Sequence, residues 1–155
     1  MKTVKLLFFS LFFCVQIQAS TPVASIIFSV PPVENNLTHF TVTDPNNEPY
    51  TIQTIIGSEA CRQIPSGKYG YFNASSVIAS TDANLIFRIR FYDYGTGFFY
   101  LHYNATNSVN YKVAVVQKGG SNTWVTATIA VTDASFRNAQ NNNCDFRIGT
   151  NTGDN

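Results

Sequence analysis

The chain has 155 residues, with 10 Lys and Arg against 9 Asp and Glu, for a formal net charge of +1. That length suits one domain with a proper core and is too short for two comfortable ones. The near-balance of charge, with its Lys and Arg scattered among predicted strands, excludes the basic patch or stripe that nucleic-acid binding needs.

In chain order, the first segment reads as an export leader. Lys2 and Lys5 precede LLFFSLFFCV, an apolar run too short to span a bilayer, and Ile17, Gln18 and Ala19 offer a small residue for cleavage before Ser20. Residues 1–19 are therefore expected to be removed as a signal peptide, leaving one domain over residues 20–150 and a polar tail over 151–155. Without Lys2 and Lys5, eight Lys and Arg face nine Asp and Glu, a net charge of minus one. No later segment is apolar enough to cross a membrane, and GTNTGDN at the C-terminus lacks the hydrophobic tail of a lipid-anchor signal. The expected product is secreted, extracellular and not inserted in a membrane.

Short strands with short links follow. Val23, Ile26, Ile27 and Phe28 form a β-branched-rich run stopped by Pro31 and Pro32, which cannot donate to a ladder. HFTVT from His39 alternates, Asp44-Pro45-Asn46-Asn47 turns the chain, and Pro49 to Ile56 supplies another strand. Beyond Gly57 come Cys61 to Ile64, the turn Pro65-Ser66-Gly67, and KYGYFN, in which Tyr69 and Tyr71 share one face and Phe72 lies opposite.

The strongest signal runs from Asn84 to Asn104. Leu85, Phe87, Ile89 and Phe91 alternate with Ile86, Arg88, Arg90 and Tyr92, the period of a strand with one buried face and one partly wet face. Asp93-Tyr94-Gly95-Thr96-Gly97 carries turn chemistry, and Phe99, Leu101 and Tyr103 alternate with Phe98, Tyr100 and His102 on the way back, so a hairpin is expected here. Tyr111, Val113 and Val115 then alternate with Lys112, Ala114 and Val116, and Gly119 to Asn122 form a turn. Val125, Ala127, Ile129 and Val131 lie opposite Trp124, Thr126, Thr128 and Ala130. Asp133 to Asn138 reads as one short turn, and Phe146 and Ile148 alternate in a closing strand. With no sustained 3.6-residue repeat after the leader, the expected fold is all-β: an antiparallel β-sandwich, jelly-roll-like.

Once Cys14 leaves with the leader, Cys61 and Cys144 are the remaining pair, and a disulfide between them is the economical reading for an oxidising compartment. Closing so long a loop is worth about 4 to 5 kcal/mol on the chain-entropy argument. Three N-x-S/T sequons, at Asn36, Asn73 and Asn104, point to a glycoprotein whose acceptor side chains face solvent.

The ordered set YFN (71–73), LIFRIRFYDYGTG (85–97), FYLHYN (99–104), TWVTATIAVTDASFRNAQ (123–140) and DFRI (145–148) resembles a β-sandwich domain of secreted proteins and of polypeptides carrying polysaccharide-acting enzymes. Such domains are similar to the galactose-binding-domain-like jelly rolls of carbohydrate-binding modules. The resemblance covers about Gly57 to Ile148 and implies the fold firmly and sugar binding loosely. The pattern usually places a small residue before DFRI, where this chain has Cys144, which suggests a local disulfide.

Catalysis finds little support in the residues. The two histidines, His39 and His102, have no metal-ligand spacing, no G-x-S-x-G elbow occurs, and Glu34, Glu48 and Glu59 lie near turns with no visible partner, so neither enzymatic activity nor a catalytic metal is expected. Sugar binding asks for exposed aromatic faces with a few hydrogen-bonding groups, and Tyr92, Tyr94, Phe98, Tyr100 and Trp124 are the candidates around the hairpin. The competing reading for each is core or cross-strand packing. Arg88 and Arg90 share the face of Tyr92, and their stems can cover apolar surface. Asp93, Asp133 and Asp145 are hard oxygen ligands near loops, a structural-calcium alternative without EF-hand spacing. Together these features predict a secreted, non-catalytic domain that binds an extracellular glycan or glycoprotein. The alternatives are a structural protein of a cell-surface or extracellular coat and a small glycan-active enzyme.

Overall fold

In the computed structural model, residues 3–8, 13–18, 24–47, 49–74, 78, 83–106 and 111–150 are described, and they are strands and loops apart from one 3-10 turn at Asn141–Asn143. The strands in chain order are β1 (Thr3–Phe8), β2 (Phe13–Gln18), β3 (Ser25–Ile27), β4 (Val33–Asn35), β5 (Leu37–Phe40), β6 (Ile52–Ile56) and β7 (Glu59–Gln63). They continue with β8 (Tyr69–Ala74), β9 (Leu85–Tyr92), β10 (Phe98–Tyr103), β11 (Lys112–Gln117), β12 (Trp124–Val131) and β13 (Phe146–Thr150). The fold is all-β and antiparallel, as expected. Among the described residues no helix is long and apolar enough to cross a membrane.

A five-stranded sheet in the order β11-β10-β13-β8-β5 forms one layer. Facing it, β9 pairs with β12 along its full length, Leu85 opposite Val131 and Tyr92 opposite Trp124. The alternation in β9 places Leu85, Phe87 and Ile89 inward with no exposure. There Phe87 meets Phe146 of β13 edge-on at 5.2 Å, and Phe91 meets Phe99 of β10 at 4.9 Å. Phe146 stacks in turn on Phe72 of β8, 5.0 Å between centroids and 8° between planes. Each such fully buried ring contributes about 1.5 to 3 kcal/mol of transfer free energy, which is what holds the layers face to face.

The expected hairpin from Asn84 to Asn104 is corrected here. β9 and β10 are not ladder partners: β10 pairs with β11 and β13, β9 with β12, and the Asp93–Gly97 link carries the chain from one layer to the other. Two strands of matching alternation can bury the same residues by lying side by side or by facing each other. The Phe91–Phe99 contact across the core is the facing solution.

The segment read as a leader forms the β1/β2 hairpin, which lies alongside β9 and β3. The expected cleavage point at Ala19 and Ser20 and the tail 151–155 lie outside the described residues.

The Cys61–Cys144 disulfide is also corrected. Both cysteines are free thiols with no exposure. Cys61 stands on β7 opposite Thr54 of β6, whereas Cys144 leads into β13, its carbonyl accepting from the Gln140 N–H. Burial pushes both thiols up to about 12, so they behave as small apolar side chains rather than as thiolates.

Of the three sequon asparagines, Asn36 is exposed in a left-handed turn at φ 54°. Asn73 is half-buried and accepts the Asp145 N–H at 3.2 Å. Asn104 departs from the expected exposure. It is 2% exposed, and its Oδ1 accepts the Ala139 N–H at 3.1 Å, because this side chain ties the end of β10 to the 133–140 loop.

Candidate functional site: an aromatic cavity at one end of the two layers

The link between β9 and β10 makes one wall of a cavity, and the Asp93 carboxylate ties that link to the loop before β12. Asp93 is 4% exposed, its Oδ1 accepting the Gly119 N–H at 2.8 Å and its Oδ2 the Ser121 N–H at 3.0 Å. Its own backbone N–H donates to the Thr123 carbonyl, and its carbonyl accepts the Asn122 N–H, each at 2.9 Å. Burial alone would raise this carboxyl. The Ser121 N–H and hydroxyl, with the Gly119 and Gly120 N–H groups, outweigh burial and hold it below its ordinary value. Asp93 is thus an ionised clamp fixing the 118–123 loop against the 93–97 link.

Fixing that loop also fixes the start of β12, and with it the aromatic pair at the cavity mouth. Trp124 and Tyr92 are directly opposed in register with ring centroids 5.2 Å apart. Arg90, one alternate along, lies 5.9 Å over the Trp124 ring and pairs with Glu59 of β7 at 3.5 Å. Tyr94, in the link itself, is 60% exposed. Tyr92, Tyr94, Phe98 and Trp124 all line one cavity of about 490 Å³, within the usual range for a small-molecule site. Its interior is walled by Ile89, Phe91, Phe99 and Ile148 from the inward faces of both layers, and by Ile56 and Ile64 from the segment around the β6/β7 hairpin. The polar side chains that line it, apart from the tyrosine hydroxyls, are Thr54, Gln63, Lys118 and Thr150. These side chains offer groups that can bind and orient a ligand.

Four of the five sequence-predicted aromatics therefore converge, and Tyr100 does not join them. It stands on the outer face of the five-stranded sheet, 5.0 Å from Phe98 and 5.5 Å from His102. That face holds a second cluster built on Arg147, which is 5% exposed. Its Nε donates to His102 Nδ1 at 3.1 Å, and its guanidinium lies 4.4 Å from the Tyr69 ring centroid and 5.0 Å from that of Tyr111. Tyr111 stacks on His102 at 4.6 Å and 10°. Burial first, and then the Arg147 charge, push His102 down to about 4, so it is neutral near pH 7 with Nδ1 free to accept. Tyr69 can lie flat here because Gly149 is opposite it on β13: a Cβ at Gly149 would fall inside the Tyr69 ring.

The aspartates raised as hard oxygen ligands each have protein partners. Asp145, 2% exposed, accepts the Asn138 N–H at 2.8 Å and the Ala74 N–H at 3.0 Å. Asp133 accepts from the Tyr103 hydroxyl at 3.0 Å and pairs with Lys112. Among the described residues no group of His, Cys, Asp and Glu is arranged to hold a metal ion.

Thr54, Gln63, Ile64 and Lys118 carried no signal in the sequence, since each reads alone as an ordinary strand or turn residue. Arg147 and His102 were visible only as alternates on their strands. No protein-family model, no curated protein and no solved structure matches this chain.

Proposed function

We propose that this protein is an exported, non-catalytic domain that binds an extracellular glycan or glycoprotein through the Tyr92–Tyr94–Trp124 mouth of the cavity. The observation that carries the reading is the convergence of Tyr92, Tyr94, Phe98 and Trp124 on one concave site. A pyranose has an apolar face and polar edges. An exposed Tyr94 beside Trp124 offers the stacking surface, while Lys118, Gln63, Thr54 and Thr150 offer hydrogen-bonding groups for the edges. The resemblance to galactose-binding-domain-like modules points the same way. In this reading the 1–19 segment is removed on export, and Asn36, the exposed acceptor, carries a glycan.

Purified exported protein on a glycan array is the test. Selective binding that Tyr94→Ala and Trp124→Ala each abolish supports the proposal, and an array with no selective signal sinks it. A coat-forming structural role has one observation in its favour: among the described residues β11 pairs only with β10, and it exposes Val113 (45%) and Val115 (60%), an edge suited to pairing with another chain. Concentration-dependent self-association together with a silent array would favour that role.

A further inference from the structure

We infer that the ligand is amphipathic: a glycan joined to an alkyl, acyl or aryl group, with the sugar at the Tyr94–Trp124 mouth and the apolar group inserted between the two layers. This rests on the carbohydrate reading above and adds to it the class of the ligand. The reason lies in how the cavity wall is divided. Six aliphatic and phenyl side chains line it: Ile89, Phe91, Phe99 and Ile148 from the two layers, and Ile56 and Ile64 from the segment around the β6/β7 hairpin. A monosaccharide pushed among these six would set its hydroxyls against carbon, which cannot hydrogen-bond them. An apolar group has no such requirement, and it gains free energy with each methylene removed from water. About 490 Å³ is also more than a sugar ring stacked on Tyr94 or Trp124 would occupy, and the same space is lined by Ile89 and Ile148, which belong to the buried core. The tyrosines and Trp124, with one apolar side and a polar handle each, suit the boundary between head and tail.

Calorimetric titration of the exported protein with methyl, butyl, hexyl and octyl β-glucosides, kept below their micelle concentrations, tests this. A second series carries the same chains on a tetraethylene glycol head. The expected result is a Kd that tightens about fourfold per added methylene (about 0.8 kcal/mol) from butyl to octyl, with the glucosides tighter than the glycol ethers of equal chain length. Ile64→Trp and, independently, Thr54→Phe narrow the cavity from two sides and should each flatten the chain-length dependence. The two variants cover the case in which one fails to fold, as read from its thermal melt. Equal affinity for methyl and octyl glucoside would overturn the inference and leave the carbohydrate reading standing. Chain-length dependence that is identical for both head groups would keep tail insertion but defeat the carbohydrate reading, and with it the glycoconjugate as ligand. Failure of every octyl compound to bind would overturn the inference outright.

Discussion

Mild acid should destabilise this protein through its two histidines, and the size of the effect follows from where they sit. His39 packs between Phe28 and Phe72, at 5.1 and 5.3 Å, with its Nε2 3.3 Å from the Thr51 hydroxyl. Burial, and secondarily the Arg62 charge, push it down to about 3, while His102 is held at about 4 by burial and Arg147. In the unfolded chain both titrate near 6.5. Between those values the unfolded state binds more protons, so the stability their neutrality confers is complete above about pH 6.5 and is lost as pH falls toward the folded values. Integrated from pH 7 to pH 5, each histidine costs about 2 kcal/mol and the pair about 4, a large part of a typical domain's stability. Asp145 has the opposite sign. Burial holds its carboxyl above the usual value, so the folded state takes up that proton first and regains a little stability at the acid end. Urea unfolding at constant ionic strength at pH 7, 6 and 5 reads the loss. His102→Gln, which retains an acceptor for Arg147 Nε, should roughly halve it. A difference under about 1 kcal/mol between pH 7 and pH 5, or the same loss in a His39→Phe/His102→Gln double variant, would refute the reasoning.

Asp145→Ala removes the acceptor of the part-buried Asn138 and Ala74 N–H bonds and should lower stability by about 1 to 3 kcal/mol, read as a shift of the urea midpoint at unchanged slope. Gly149→Ala drives a methyl into the Tyr69 ring and should cost about 1 to 3 kcal/mol, with a change in near-ultraviolet circular dichroism as the ring leaves the Arg147 face. Cys61 and Cys144 should ignore Ellman's reagent in the native protein and react once it is denatured. A Cys61–Cys144 linked peptide in a non-reducing digest would contradict that.

Strand positions were legible because each depends on local alternation alone. The β9 pattern states its own buried face, and β12 repeats it with Val125, Ala127, Ile129 and Val131. Partners were not legible, because alternation says which side of a strand is apolar and not which strand covers it. Leu85 to Phe91 and Phe99 to Tyr103 look the same whether adjacent or facing. The expected exposure of Asn104 failed for a similar reason. The motif describes an acceptor for an enzyme, whereas the side chain's fate was decided by a loop that returns to it at Ala139. Cysteine arithmetic likewise counts sulfurs without seeing that β7 and the approach to β13 belong to different sheets.

The aromatic site shows where legibility passes from residues to geometry. Tyr92, Tyr94, Phe98 and Trp124 could be picked out as outward alternates and turn residues, yet nothing in their spacing brings Trp124 to the others. Two features do that: the register that sets Trp124 opposite Tyr92, and the Asp93 carboxylate, which gathers the N–H groups of Gly119 and Ser121 just before β12 begins. In the sequence Asp93 is one of several turn aspartates, with no motif to mark its role. Its partners are backbone amides, which every residue but proline possesses and no sequence motif can mark. The aromatic surface of the site is therefore carried by side chains that were visible, and its assembly by a hydrogen-bond pattern that only the folded chain creates.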